Sequence, residues 1–457
     1  MCGCEAFHSR TISANPWIYP WEATIQPHPT NSFVGEPGDK TYNMLTNYIK
    51  IAWKVLLRNP FYTFITLFGI SFTLLILLVL SAFLDHMFGS HYPEQQRHRT
   101  LYVTSIRLQD STRTSTMQGP LSYQFLKKNL GALSGIEDYG ISSIFKSTNT
   151  YMNNKRVKFM LKYTDAGFWQ VTDFKLLEGR FFTEKDTEQG ARVAVITEKM
   201  RNEYFDKNES VIGKPLEFNG LTFRIIGLVK GSPITHPWTY GDVFLPYNSP
   251  KSEYESKSRN GAYIGIIRAR SGAAFPSIEK EFVQLTHRGV TFPFIEGGMK
   301  VYHLETNAQT FLAGFVYQLF QSDRTEIFFS IVSLFMLLFM SLPAINLINL
   351  NVSRIIERSS EISIRKAFGA PSKTILWQFV IENIFVTLLG AIIALILAQI
   401  ALSIFNRSGL IPYAELSINY TVFGIALLLA LVFGLMSGVI PAWRMSKLKP
   451  AEALKGA

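Results

Sequence analysis

The residues best able to do chemistry in this sequence are few, and their spacing does not suit them to it. His91 and His98 flank Glu94 in HYPEQQRH (91–98), but the pattern is neither HExxH nor HxxEH, so no pair of imidazoles shares a helix face with a general base. The composition around them reads as a polar linker. His236 sits between prolines in SPITHPW with no evident partner. The only cysteines are Cys2 and Cys4, and two thiolates alone do not complete a tetrahedral metal site. Nothing after them can form a disulfide, so a domain exported to an oxidising compartment must be held by packing. There is no GxSxG nucleophile turn. A phosphate-binding loop needs GxxxxGK[ST], and the nearest approach, GEPGDKT (35–41), has Asp39 where the second glycine belongs. The reading is of a chain with no catalytic residues, no metal site and no cofactor bound directly.

The elements around these residues point to a membrane. Mean hydropathy is +0.14 and only 17% of the 457 residues are charged, a balance that usually conceals a few very apolar segments. A helix needs about 20 apolar residues to cross the hydrocarbon core. Four stretches meet this: Phe61–Leu84, Ile327–Leu350, about Ile375–Phe405 and about Ile418–Ile440. The first is too long for a signal-peptide core and lacks a cleavage segment after it, so it reads as an uncleaved anchor. Lys50, Lys54 and Arg58 precede it; Arg354, Arg358, Arg365, Lys366 and Lys373 lie between the second and third; Arg444, Lys447, Lys449 and Lys455 follow the fourth. All fall on one side if both termini are cytoplasmic. Anionic lipid headgroups then account for much of the net charge of +11, and no nucleic acid is needed as a partner.

The expected fold is a membrane protein with four transmembrane α-helices and a large α+β extracytoplasmic domain inserted between helices 1 and 2. Residues 1–43 read as a disordered extension, or as sequence before a true start at Met44. Residues 44–84 hold a cytoplasmic amphipathic segment and the first span, 85–323 the outside domain, and 324–457 the remaining spans, a cytoplasmic loop and the tail. Within the outside domain, strands are expected at 101–107, 156–164, 192–197, 221–229, 242–247 and 261–269, and helices at 121–130, 198–206 and 275–286, with turns at Asn219-Gly220 and Ser232-Pro233.

The run LLEGRFFTEKD (176–186), RVAVITEKMRNEYF (192–205) and VIGKPLEFNGLTFRIIGLVKG (211–231) resembles the periplasmic core domain of MacB-type ABC permeases. Gly179, Gly213, Gly220 and Gly227 read as its turn or bulge positions. EISIRKAFGAPSKTILWQFVIE (361–382) and the tail PAWRMSKLKPAEALKG (441–456) are similar to the FtsX-like permease family. Those permeases work in the bacterial cytoplasmic (inner) membrane with a separate ABC ATP-binding subunit, contacted by the loop between the second and third spans. The resemblance therefore nominates Glu361, Arg365, Lys366, Ala367, Gly369 and Ala370 as an ATPase-coupling segment. Ser372 is expected to cap the helix that follows. Glu382, about two turns into the third stretch, is placed by the resemblance at headgroup level in an elbow helix. Gly69, Gly390, Gly424, Gly434 and Gly438 are candidates for close helix packing.

What the resemblance implies is a permease subunit of an export or mechanotransmission complex, using ATP only through the partner subunit. Pairing as a homodimer or with a similar permease is expected. MacB-type proteins carry a fused N-terminal nucleotide-binding domain; this sequence departs from that arrangement, and ATP hydrolysis is expected on a partner chain. The alternative is an FtsX-type regulatory protein that relays ATP turnover without moving a substrate; the size of the outside domain favours export. For a periplasmic or outer-membrane partner, an exposed loop between Thr187 and Pro250 could serve as a docking site.

Overall fold

The computed structural model describes residues 50, 53–54, 56–58, 60–152, 155–205, 210–250, 252–320, 326–338, 341, 364, 368–369 and 371–446. The first helix, α1, spans Pro60–Phe88 and carries no charge before Asp85. At 1.5 Å per residue it is about 44 Å long, more than the roughly 30 Å of hydrocarbon.

After α1 come β1 (Thr100–Val103), β2 (Ile106–Gln109), β3 (Thr116–Gly119), α2 (Tyr123–Leu130), β4 (Ile136–Ser143), β5 (Lys146–Met152), β6 (Lys155–Thr164), α3 (Ala166–Val171), β7 (Leu176–Gly179), α4 (Glu184–Glu188), β8 (Val193–Thr197), α5 (Glu198–Tyr204), β9 (Pro215–Phe218), β10 (Leu221–Val229), β11 (Val243–Pro246), β12 (Tyr263–Ala269), α6 (Phe275–His287), β13 (Phe294–Glu296), β14 (Met299–Val301), β15 (His303–Thr306) and α7 (Phe311–Phe320). This is an α+β domain built on one ten-stranded sheet, in the order β1-β12-β4-β6-β11-β8-β10-β7, with β5 beside β6 and β9 beside β10. The β6/β11 and β8/β10 pairs are parallel and the rest antiparallel. The expected strand at 101–107 divides: β1 stays in the large sheet, while β2 joins β3 and β15 in a small one.

β12 shows why the apolar run YIGIIRA folds as it does. Every residue of it is buried. Tyr263, Ile267 and Ala269 face a core with Leu126 of α2 and Ile278 and Phe282 of α6. Ile264 and Ile266 face the opposite side, where Phe168 and Trp169 of α3 lead an aromatic core with Phe174, Phe182 and Phe244. A strand covered on both faces has no reason to alternate polar and apolar residues. A third core, under β8, β10 and α5, fills the far end of the sheet. Asn219 and Gly220 both have positive φ (52° and 73°), the conformation a two-residue hairpin between β9 and β10 requires.

Three more helices follow: α8 (Glu326–Leu338), α9 (Ser372–Ser408) and α10 (Tyr420–Ser446). Among the described residues, Pro60–Phe88 and Leu376–Ser408 are long and apolar enough to cross a membrane. Of the second expected span, only 327–338 and 341 lie within the described residues. Helices α1, α9 and α10 pack together through Leu74, Leu77, Val386, Ala394 and Ala426, and through Leu78, Ala82, Ala398 and Leu402. Two of the candidate packing glycines serve this contact. A Cβ on Gly390 would press on Ile70, and one on Gly434 on Thr387. Gly69 and Gly424 have no neighbour within 4 Å of such a Cβ; Gly438 lies outside the residues whose surroundings are described. Ser372 does not cap α9. Pro371 holds that position with φ −68° and ψ 138°, and Ser372 is the first helical residue, because proline's fixed φ suits the entry to a helix.

Candidate functional site

The segment expected to be a polar linker is a buried knot. Glu94 and Arg97 are each 6% exposed. Arg97 Nε and Nη2 donate to Glu94 Oε2 at 3.0 and 2.7 Å, the Tyr102 hydroxyl donates to the same oxygen at 2.8 Å, and the Thr239 hydroxyl donates to Oε1 at 2.9 Å. The three-residue spacing puts both charges on one side of the turn at Tyr92-Pro93, and β1 and the 232–240 loop close over them. Burial works against the charge on Glu94, but Arg97, with the Tyr102 hydroxyl, holds its carboxyl below the usual range. The same pairing keeps Arg97 charged.

Arg97 also closes the end of α1. Its Nη1 donates to the carbonyls of Met87 at 2.7 Å and Gly89 at 2.9 Å. The last carbonyls of a helix have no partner within it and carry the negative end of its dipole, so a buried guanidinium there is favoured twice over. Neighbouring residues of α1 are held separately. The ring nitrogen Nε2 of His236 lies 3.2 Å from the His86 carbonyl, which can only accept, so the proton is on Nε2. His236 Nδ1 is buried with no partner, and burial lowers the His236 pKa to about 4 against the opposing charge of Glu94. Asp85 accepts from Asn419 Nδ2 at 3.1 Å and meets His91 at 3.0 Å. Phe88 packs edge-on against Phe311 and Phe315 of α7, and the Arg97 guanidinium stands 4.1 Å over the Phe311 ring. The last four residues of α1 and Gly89 thus grip four different parts of the structure.

Deeper in the sheet, Lys162 of β6 is fully buried and donates to the Ser143 carbonyl at 2.7 Å. Burial lowers its pKa to about 7, with Glu94 opposing.

A second joint lies in the loop between α9 and α10. The Tyr413 hydroxyl accepts from the Lys199 N–H at 2.7 Å, and burial pushes it up to about 12. Lys230 Nζ meets Glu415 at 2.7 Å. Gly231 lies against the Tyr413 ring so closely that a Cβ would overlap it. This loop therefore seats on the end of β10 and the start of α5.

Of the nominated coupling residues, Glu361, Arg365, Lys366, Ala367 and Ala370 lie outside the described residues. Gly369 is described: its φ is +86°, a left-handed conformation that side chains resist, and it precedes α9. Phe368 beside it is 88% exposed. Glu382 lies inside the helix packing at 5% exposure, near Asn383 and Thr387. Because α9 has 37 residues, about 55 Å, it outreaches the hydrocarbon, and Glu382 is in its first third. The stretch from Thr187 to Pro250 holds β8, α5, β9, β10 and β11 joined by loops, and among its described residues Ile212 and Ile234 are the exposed large apolar side chains. Sequence reasoning missed the knot. The available signal was an acid and a base three apart between two histidines, directly after a span.

The family model for the MacB-like periplasmic core domain matches residues 63–285, and that for the FtsX-like permease C-terminal region matches residues 333–450. YknZ of Bacillus subtilis, described as an uncharacterized ABC transporter permease, is 27% identical over 338 residues, 72% of this chain and 79% of that one. The macrolide export ATP-binding/permease protein MacB of Pasteurella multocida is 26% identical over 303 residues, 66% of this chain and 44% of MacB. The pyoverdine export ATP-binding/permease protein PvdT of Pseudomonas aeruginosa is 28% identical over 294 residues, 64% of this chain and 41% of PvdT. The match thus spans less than half the length of those two relatives. The crystal structure of the extracellular domain of the noncanonic ABC-type transporter YknZ aligns with 44% of this chain and all of that domain, at 17% identity and a TM-score of 0.33. Between them the two family models account for well over half of the sequence: the chain belongs to the ABC transporter permeases that join a MacB-like periplasmic core domain to an FtsX-like C-terminal domain.

Proposed function

We propose that this chain is the permease subunit of an ABC-type export complex. It sits in a bacterial cytoplasmic membrane with four spans and both termini inside, pairs with a second permease, and is driven by a separate ATP-binding subunit at Glu361, Arg365, Lys366, Ala367, Gly369 and Ala370. The observation that carries this reading is the grip of residues 85–89 by Arg97, His236, Asn419 and Phe311. A helix end fixed at so many points passes its displacement to the domain instead of sliding beneath it. The route is continuous. Gly369 lies at one end of α9, α9 packs along α1, and α1 ends in the knot. Seating of the 410–419 loop on the outside domain supports the four-span arrangement, since it brings the far end of α9 to the domain's side. α8 is exposed and apolar around much of its surface, with Leu334, Phe335, Leu337 and Leu338 each 57–58% exposed, as a helix facing lipid or a second permease would be.

The test is a pull-down of the tagged chain from its native membranes in mild detergent, assaying the eluate for ATP hydrolysis and co-purified polypeptides, with Gly369→Trp alongside. Recovery of a cassette ATPase by the wild type, and its loss or loss of its stimulation in the variant, is the expected result. A wild-type chain that purifies without any nucleotide-binding partner sinks the reading.

A further inference from the structure

We infer that the outside domain holds a binding site for a small organic ammonium ion, in a cavity framed by α2, α3, α4 and the 181–183 turn. The cavity measures about 510 Å³, within the range that suits a small organic molecule. Its lining shares no residue with the knot or the Tyr413 joint, and the inference goes beyond the export reading because occupying the cavity requires no ATPase.

The lining combines two features that both favour a cation. Aromatic rings form the walls: Trp169 stacks on Phe181 at 4.5 Å with 19° between planes, and Tyr123 stacks on Tyr247 at 3.9 Å. The faces of such rings carry negative potential and attract ammonium groups. Four carboxylate residues, Asp138, Asp165, Glu184 and Glu188, line the same space. Lys127 is the one Lys or Arg among the lining residues. Its Nζ stands 6.0 Å from the rings of both Tyr123 and Tyr247, so one end of the cavity already holds a cation over paired aromatics. Trp169, Phe181 and Glu184 line the same cavity.

Asp165 adds an independent reason. Its Oδ1 accepts from the N–H groups of Ile141 and Phe168 at 2.9 and 2.8 Å and caps α3. Burial nevertheless raises its pKa to about 7, with Asp138 adding to the shift and Lys127 only partly offsetting it. A carboxylate in that position gains from a further positive charge nearby.

The test uses the full-length chain in detergent and isothermal titration with benzyltrimethylammonium chloride, an aromatic cation too small to form micelles. Sodium phenylacetate serves as the anionic control. The expected result is saturable binding of the cation and none of the anion. Asp138→Asn with Glu184→Gln should weaken binding at least tenfold. Lys127→Gln should tighten it, because the resident cation no longer competes. Glu184 and Lys127 are exposed, so changes there leave the fold intact; Asp138 is half-buried, and Glu184→Gln alone serves if the double variant melts early. Three results overturn the proposal: no saturable binding at about millimolar probe, equal binding of phenylacetate, or affinity unmoved by both sets of substitutions, which would place the probe elsewhere.

Discussion

Replacing Glu94 by leucine removes the one carboxylate in the knot and leaves the Arg97 guanidinium, 6% exposed, without its counter-charge. Two hydroxyls, of Tyr102 and Thr239, lose their acceptor in the same step. Stranding one member of a buried ion pair costs about 3–5 kcal/mol. For a domain of this size each kcal/mol lowers the melting midpoint by about 2–4 °C, so the outside domain of Glu94→Leu should melt about 6–20 °C below wild type. The double variant Glu94→Leu/Arg97→Met should recover much of this, because no charge is then buried alone. It should not recover all of it: the carbonyls of Met87 and Gly89 lose their donor, at about 1–3 kcal/mol. The assay is thermal unfolding followed by tryptophan fluorescence on wild type, both single variants and the double, read as a double-mutant cycle. Strictly additive single effects, or a Glu94→Leu protein that melts with wild type, would refute the argument that the pair fastens α1 to the domain.

Three further predictions rest on the same geometry. His236 stays neutral in the fold down to about pH 4 but takes a proton near 6.5 when unfolded, so the unfolded chain binds more protons between those values and stability falls as pH drops through that window. The full loss is about 3 kcal/mol. The denaturant midpoint measured from pH 7 to 4.5 should show this slope, and His236→Gln should flatten it, while the part owed to the depressed Glu94 carboxyl should appear only below about pH 4.5. Lys162 is protonated in the unfolded chain up to about 10.5 and loses its proton near 7 in the fold, so it penalises the fold most at and below pH 7, on the order of 5 kcal/mol, and the penalty fades as pH rises to 10. Lys162→Met should therefore raise the melting midpoint at pH 6 and give no gain near pH 10; a gain independent of pH would contradict the burial argument. Gly231→Ala should push the Tyr413 ring off β10 and make the 410–419 loop more open to limited proteolysis, and adding Tyr413→Ala should relieve that strain so that the double variant unfolds later than Gly231→Ala alone.

The sequence was most legible where a single local rule decides the structure. β10 runs from Leu221 to Val229 and α6 starts at Phe275, as their patterns predict, and Asn219-Gly220 makes the hairpin its residues prescribe. It was least legible where a residue's role depends on partners far along the chain. Glu94, Arg97, Tyr102 and Thr239 are scattered over 146 residues and meet because β1 and the 232–240 loop fold back onto the end of α1. A glutamate and an arginine three apart in HYPEQQRH signal a pair but not its burial, the property that turns the pair into a fastening, which β1 and the 232–240 loop supply from far along the chain. His236 makes the same point from the other side. It looked partnerless because its partner is a helix carbonyl, His86 O, and backbone acceptors cannot be read from residue type.

That arrangement bears on how a permease of this kind could transmit force. An ion pair on the surface would be weakened by salt and could slide with little resistance. The Glu94–Arg97 pair is shielded from both, and its guanidinium is shared between the carboxylate, two helix carbonyls and the face of Phe311. Phe311 opens α7, the last described element before α8, so one side chain touches both the helix that enters the domain and the helix that leaves it. Motion of α1 relative to the start of α7 must therefore distort the knot, whereas motion of the two together carries the domain as a body. The expectation is that Arg97→Met, which breaks the contact with both helices at once, separates ATP turnover from movement of the outside domain, while substitutions at exposed rim pairs such as Arg180–Asp186 leave the coupling intact. Distances between spin labels on the outside domain and at the exposed Phe368, before the other end of α9, measured with and without nucleotide on the assembled complex, would decide it. Equal movement in wild type and Arg97→Met would show that force reaches the domain by another route.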